Sequence, residues 1–155
     1  NSCVVDEQAA AEGAFSIMTA FLAGSNLTHD VGYLESGLTT SPEMIVLCDE
    51  IISMVRRFME GMTLDPQSLA MDVIHQVGPD GDYLTTRHTL QNFRQLWRPS
   101  LFNRLGGEAW ATAGSHRLGR VLRDRTVSVI ETHRPEPLRD AVRQEIQTIL
   151  GSDVP

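Results

Sequence analysis

Apolar residues recur at helical spacing in one segment after another of this chain, and one stretch breaks the rhythm. From Asp6 to about Gly24, Phe15, Met18, Phe21 and Leu22 return at three- and four-residue steps, which predicts a helix with one buried face. Asp6, Glu7 and Glu12 bring negative charge to its first turns, where the helix dipole favours it. Ala9, Ala10, Ala11, Ala20 and Ala23 keep this helix slim enough for close packing. A second helix starts at Ser41-Pro42-Glu43, a serine cap followed by proline at the first helical position, and runs to about Glu60. Its apolar residues, from Met44 to Met59, cover most of the circumference, so it is expected to be buried on several sides or to lie at an interface.

Beyond residue 64 the pattern continues in shorter pieces. Asp65-Pro66 opens a helix with the stripe Leu69, Ala70, Val73, Ile74 and Val77, stopped by Gly78-Pro79. Thr86 to Trp97 is predicted helical, Pro99 to Gly107 irregular, and Glu108 to Ala113 a short helix. Leu118 to Thr132 carries a clear stripe in Leu118, Val121, Leu122, Val129 and Ile130. After Pro135-Glu136-Pro137, the residues Leu138, Val142, Ile146 and Ile149 predict a final amphipathic helix. No internal repeat or low-complexity tract interrupts the series.

The exception is Gly24 to Ser41. Leu27 to Val31 is short enough for a strand, and Gly32 and Gly37 permit tight turns around Tyr33-Leu34-Glu35-Ser36. His29, Asp30, Tyr33 and Glu35 fall within seven residues. In a reactive reading, Asp30 or a backbone carbonyl orients the His29 imidazole while Tyr33 and the carboxylates face a cationic ligand. In a structural reading, His29 and Asp30 bond the backbone at a strand end and Tyr33 packs. Elsewhere, Tyr83, His88 and Trp97 are read first as packing residues, and Trp97 and Trp110 as core or interface anchors. Arg56-Arg57 reads as a solvated patch or an intersubunit ion pair, and a homo-oligomer is expected.

Composition narrows the classes. The chain has 155 residues, enough for one domain with a real core. Its formal net charge of −7 argues against nucleic acid, and no apolar run approaches the roughly 20 residues that cross a bilayer. All 13 basic residues are arginine, so neither a lysine Schiff base nor a P-loop lysine is available. Cys3 and Cys48, without framework spacing, and the lack of a visible signal peptide suggest a reducing, cytoplasmic setting. The five histidines are scattered without metal-ligand spacing, so no metal site is expected. The chain begins with Asn and opens almost directly into a helix, which suggests that residues precede it.

Several runs resemble the trimethylamine methyltransferase family. They are Val5-Asp6-Glu7-Gln8-Ala9-Ala10, the run Leu22 to Leu38 with an uninterrupted His-Asp-Val-Gly-Tyr-Leu-Glu-Ser-Gly-Leu, Asp49-Glu50-Ile51-Ile52, Asp72-Val73-Ile74, Val77-Gly78-Pro79, His88-Thr89-Leu90, Phe93-Arg94, Trp97-Arg98-Pro99 and Thr132-His133-Arg134-Pro135. The resemblance covers essentially the whole chain and implies the C-terminal third of an α/β protein, a (β/α)8 TIM-type barrel, the portion itself mostly α-helical with one or two short strands. Residues 1–64 would be the last barrel units, with Leu27 to Val31 the final strand, and 65–155 a helical tail packed on the barrel. The strand end would bring His29 to the catalytic mouth.

The implied activity moves a methyl group from trimethylamine, or from a quaternary amine such as glycine betaine, to the Co(I) of a corrinoid protein. His29 would be catalytic, and His29, Asp30, Tyr33 and Glu35 would bind substrate. The cobalamin would belong to that partner, with none bound by this chain. One branch of the family uses pyrrolysine and the other an ordinary residue, at a position upstream of Asn1. The remainder of the barrel would complete the site, so the piece alone would be inactive. The alternative is a non-enzymatic helical module that binds a protein partner through the apolar helix at 43–60.

Overall fold

A computed structural model describes residues 1–151 as a mainly helical chain with one very short hairpin. Helix α1 (Glu7–Leu22) is capped by Asp6, whose carboxylate accepts from the Ala9 N–H. Helix α2 (Pro42–Met59) is capped by the Ser41 hydroxyl, with Pro42 at the first turn. Between them, β1 (Tyr33–Leu34) pairs antiparallel with β2 (Thr39–Thr40), Tyr33 opposite Thr40 and Leu34 opposite Thr39. The rest comprises α3 (Pro66–Leu69), α4 (Met71–Val77), α5 (Arg87–Asn92), α6 (Gly107–Thr112), α7 (Leu118–Thr132) and α8 (Asp140–Gly151).

The core is the seam where α2 meets α1 on one side and α7 on the other. Met44, Leu47, Ile51 and Val55 stand at helical spacing on α2 and are all buried. Ala9 and Ile17 of α1 and Leu122 of α7 face them, and Leu34 of the hairpin joins the same cluster. Small residues allow the α1 approach: a Cβ on Gly13 would stand 3.0 Å from the Met44 Cε. Only one face of α2 is used in this way, and Ile45, Phe58 and Met59 remain exposed. The expectation of burial on several sides is therefore met on two flanks only. The strip Met44, Leu47, Ile51 and Val55 is covered by α1 and α7, so a partner docking on this helix would meet Ile45, Phe58 and Met59 instead.

Other expectations shift. No strand forms at Leu27 to Val31: residues 27–30 have no ladder partner among the described residues, Asp30 takes a left-handed backbone and Val31 lies in a turn. A strand is defined by the neighbour that accepts its backbone hydrogen bonds. The helix expected from Asp65 is two, because Ala70 takes a left-handed backbone (φ 48°) between α3 and α4. The helix expected to reach Trp97 leaves the α form at Asn92, passes through a single 3-10 turn at Phe93–Gln95, and ends there. Trp97 is half-buried and its indole N–H donates to the Ser53 hydroxyl at 3.1 Å.

The accessible surface of 12685 Å² is large. Size scaling gives about 7,800 Å² for a folded monomer of this mass. The stripes of α4, α5 and α8 account for part of the difference, since Ile74, Leu90, Ile146 and Ile149 are exposed. No helix among the described residues is long and apolar enough to cross a membrane.

Two buried polar groups sit in or beside the seam. The Glu50 carboxylate accepts from the Ser100 hydroxyl at 2.6 Å and the Leu101 N–H at 3.1 Å, tying the 99–105 loop to α2. Burial pushes its pKa up, but the donors from Ser100, Leu101 and Phe102 together outweigh it and hold the group below its ordinary 4.5. A depressed carboxyl stabilises the fold above the unfolded value and loses that contribution as pH falls through the folded one. Stability is thus expected to drop below about pH 4.5, and Glu50→Ala to cost about 2–3 kcal/mol at pH 7, read as urea midpoints across pH. Thr126 is buried and its hydroxyl has no partner among the described residues. Thr126→Val removes that group at nearly constant volume and is expected to add about 1 kcal/mol. An unchanged or lower urea midpoint would show that the hydroxyl is satisfied by water.

Candidate functional site

A cleft of about 650 Å³ opens where the segment after α1 folds back across α1 and α2. Small-molecule sites span roughly 300–1,000 Å³. One wall is a single face of α1: Ala9, Glu12, Gly13, Ser16 and Ile17 recur at three- and four-residue steps. The opposite wall runs from Thr28 through Leu34, and Met44 and Cys48 of α2 close the base.

Gly32 makes this return possible. Its φ is +89°, and a Cβ there would lie 2.2 Å from the Ile45 Cγ1. Its carbonyl accepts from the Ser41 N–H at 3.0 Å, joining the loop to the start of α2. Asp30, Glu35 and Ser36 also take left-handed backbones, at φ 65°, 50° and 54°. Asp is among the residues that visit this region most readily, whereas Glu and Ser at consecutive positions mark a constrained loop.

Three of the four expected site residues share the cleft. His29, Asp30 and Tyr33 line it. Glu35 does not: its carboxylate accepts from the Thr39 hydroxyl at 2.8 Å and its N–H donates to the Ser2 carbonyl at 2.9 Å. These bonds hold the hairpin in place. Tyr33 is partly exposed, leaving ring surface available.

His29 and Asp30 form an exposed pair, Nδ1 to Oδ2 at 2.6 Å. The hydrogen bond, reinforced by the carboxylate charge, raises the imidazole above its ordinary 6.5. With Nδ1 engaged, Nε2 is the nitrogen left for a ligand.

Glu12 and Ser2 contribute polar surface that the local pattern around His29 did not single out. The Gln8 amide donates to Glu12 at 2.8 Å and the Ser2 N–H at 3.0 Å, and these bonds keep the carboxyl below 4.5. The spacing of Ala9, Glu12, Gly13 and Ser16 on one helical face was the available signal. Cys48 is a different case. Burial pushes its thiol up, so it stays neutral and packs rather than attacks. Tyr83, His88 and Trp97 line neither this cleft nor the one beside α6 (Gly107–Thr112); His88 bonds the Gln67 carbonyl at 2.9 Å. No group of three or more metal-ligating side chains occurs among the described residues.

A mainly helical chain that carries a small-molecule cleft with a His-Asp pair and an acidic wall has relatives among methyl-transferring enzymes. The sequence profile of trimethylamine methyltransferase (MTTB) matches residues 1–151, and the chain belongs to that family. It is 31% identical over 144 residues to a trimethylamine methyltransferase of Methanosarcina thermophila, covering 93% of this chain and 30% of the relative. The corresponding protein of Desulfitobacterium hafniense is 28% identical over 150 residues, 97% of this chain and 30% of the relative. A glycine betaine methyltransferase of the same species is 38% identical over 113 residues, 72% of this chain and 24% of the relative. The chain thus spans about 30% of the length of the trimethylamine methyltransferases it matches.

The pair makes a direct prediction. In NMR titrations His29 should titrate above 6.5, and Asp30→Asn should return it towards that value. A titration unaffected by Asp30→Asn would show that the two side chains do not pair in solution.

Proposed function

We propose that this chain is the C-terminal part of a methyltransferase that takes a methyl group from trimethylamine or a quaternary amine and passes it to a corrinoid protein. The observation that carries the reading is the placement of His29, Asp30, Tyr33 and Glu12 around one cleft in a member of this family. In this reading residues 1–64 belong to the last units of a (β/α)8 barrel and 65–155 to a tail packed on it. The remainder of the barrel covers part of the excess apolar surface. The setting is cytoplasmic and the enzyme a homo-oligomer.

The chemistry asks little of the protein beyond binding and alignment. A methyl group on a quaternary nitrogen already has a neutral amine as its leaving group. The corrinoid of the partner supplies the nucleophile, a reduced cobalt. A cleft of this size suits a methylammonium ion and not a corrin ring, so the corrinoid arrives with its own protein. What the chain's own residues do is hold the cation, orient its methyl group and exclude water.

Tyr33 offers a ring face to the cation. Glu12 and Asp30 supply compensating charge, and both are tied back: Glu12 by Gln8 and Ser2, Asp30 by His29. That arrangement matters, because a free carboxylate against the cation would stabilise the ground state and slow transfer. His29 is the direct neighbour. Its imidazolium would repel an ammonium ion, so substrate binding is expected to tighten as pH rises through the raised His29 value, seen as a falling KM.

The decisive experiment combines the full-length protein, its corrinoid partner, a reductant and a panel of methylated amines, with the demethylated amine measured by mass spectrometry. No product from any of them would overturn the assignment. Within it, His29→Ala is expected to cut turnover at least tenfold, about 1.4 kcal/mol of barrier. Unchanged turnover would return His29 to a structural role.

A further inference from the structure

Charge is distributed very unevenly along this acidic chain. Residues 1–86 hold 2 arginines against 13 acids, a net of −11, whereas residues 87–155 hold 11 against 7, a net of +4. The net charge of −7 hides this division. A second cleft, about 360 Å³, lies in the basic part, between the 98–105 loop, α6 and the start of α7.

The cleft has two kinds of surface. Leu101, Phe102 and Val121 are half-buried and give it an apolar side. Arg98 and Arg104 are exposed and also line it, and neither guanidinium has an ion pair or hydrogen bond among the described residues. Trp110 also lines it, its indole N–H donating to the His116 carbonyl at 3.2 Å. The His116 ring is seated over Gly114, where a Cβ would stand 3.0 Å from two ring atoms.

The loop that carries both arginines is held by a costly device. Burying a carboxylate requires dedicated donors, and Glu50 finds them in the Ser100 hydroxyl and the Leu101 N–H, both within this loop. The result is a pair of unpartnered, forked cations carried on an anchored loop beside apolar surface, in a region of positive charge that would attract anions. An aromatic ring beside such cations suits a ligand that is anionic at one end and apolar at the other.

We infer that the Arg98–Arg104 cleft is a second binding site, separate from the His29 cleft, for a small organic carboxylate with an apolar body. Arg98 and Arg104 take the carboxylate, and Phe102 and Trp110 take the body. The site needs neither the His29 cleft nor a methylated amine.

The test uses the full-length protein and radiolabelled benzoate in equilibrium dialysis, with unlabelled benzamide and inorganic phosphate as competitors. Saturable benzoate binding is expected, displaced by neither competitor at equal concentration. Arg98→Gln combined with Arg104→Gln should weaken it at least tenfold while leaving the melting temperature unchanged. If the double variant melts early, each single variant should still weaken binding about threefold. No saturable binding, equal displacement by benzamide or phosphate, or binding indifferent to the arginines would each overturn the inference. None of these outcomes depends on methyl transfer, so failure here leaves the methyltransferase reading untouched, and the reverse also holds.

Discussion

The core of this chain leans on one face of one helix. Met44, Leu47, Ile51 and Val55 of α2 form the strip against which α1 and α7 pack. Each fully buried side chain of this size contributes roughly 1.5–3 kcal/mol. The strip also organises polar parts of the molecule. Glu50 lies on the same helix and fixes the 99–105 loop, and Ser41 and Ile45 at its start set the path of the loop that bears His29. Both clefts therefore take their shape from α2, although they lie in opposite charge environments.

The helices around this strip were legible because their cause is local. The serine cap at Ser41, the start at Asp65 and the proline that follows each are short-range signals, and the structure uses them. Failures came where the cause is not local. Leu27 to Val31 was expected as a strand, yet no neighbour among the described residues completes a ladder there. Ala70 breaks the helix expected from Asp65, although alanine itself favours helix, so the break comes from context.

The candidate site was half readable. His29, Asp30 and Tyr33 are close in sequence, and the turn at Gly32 keeps them close in space. Glu35 is as near along the chain but points its carboxylate to Thr39, because the left-handed pair Glu35-Ser36 reverses the chain there. Glu12 needed the fold. Its place opposite His29 depends on how α1 docks on α2, and that depends on small residues such as Ala9 and Gly13. The basic cleft was hidden by a sum: a single net charge conceals two halves of opposite sign.

Gly32 has a consequence for how this cleft can change. The space its side chain would fill is taken by Ile45, which does not line the cleft. The distance between the His29 loop and the helix beneath it is thus governed by a residue the ligand never meets. Shortening or lengthening the side chain at position 45 would let the loop sink or force it outward, altering the cleft's width with its chemistry intact. Ligand size can in this way be tuned from below, by a shim rather than by recutting the walls.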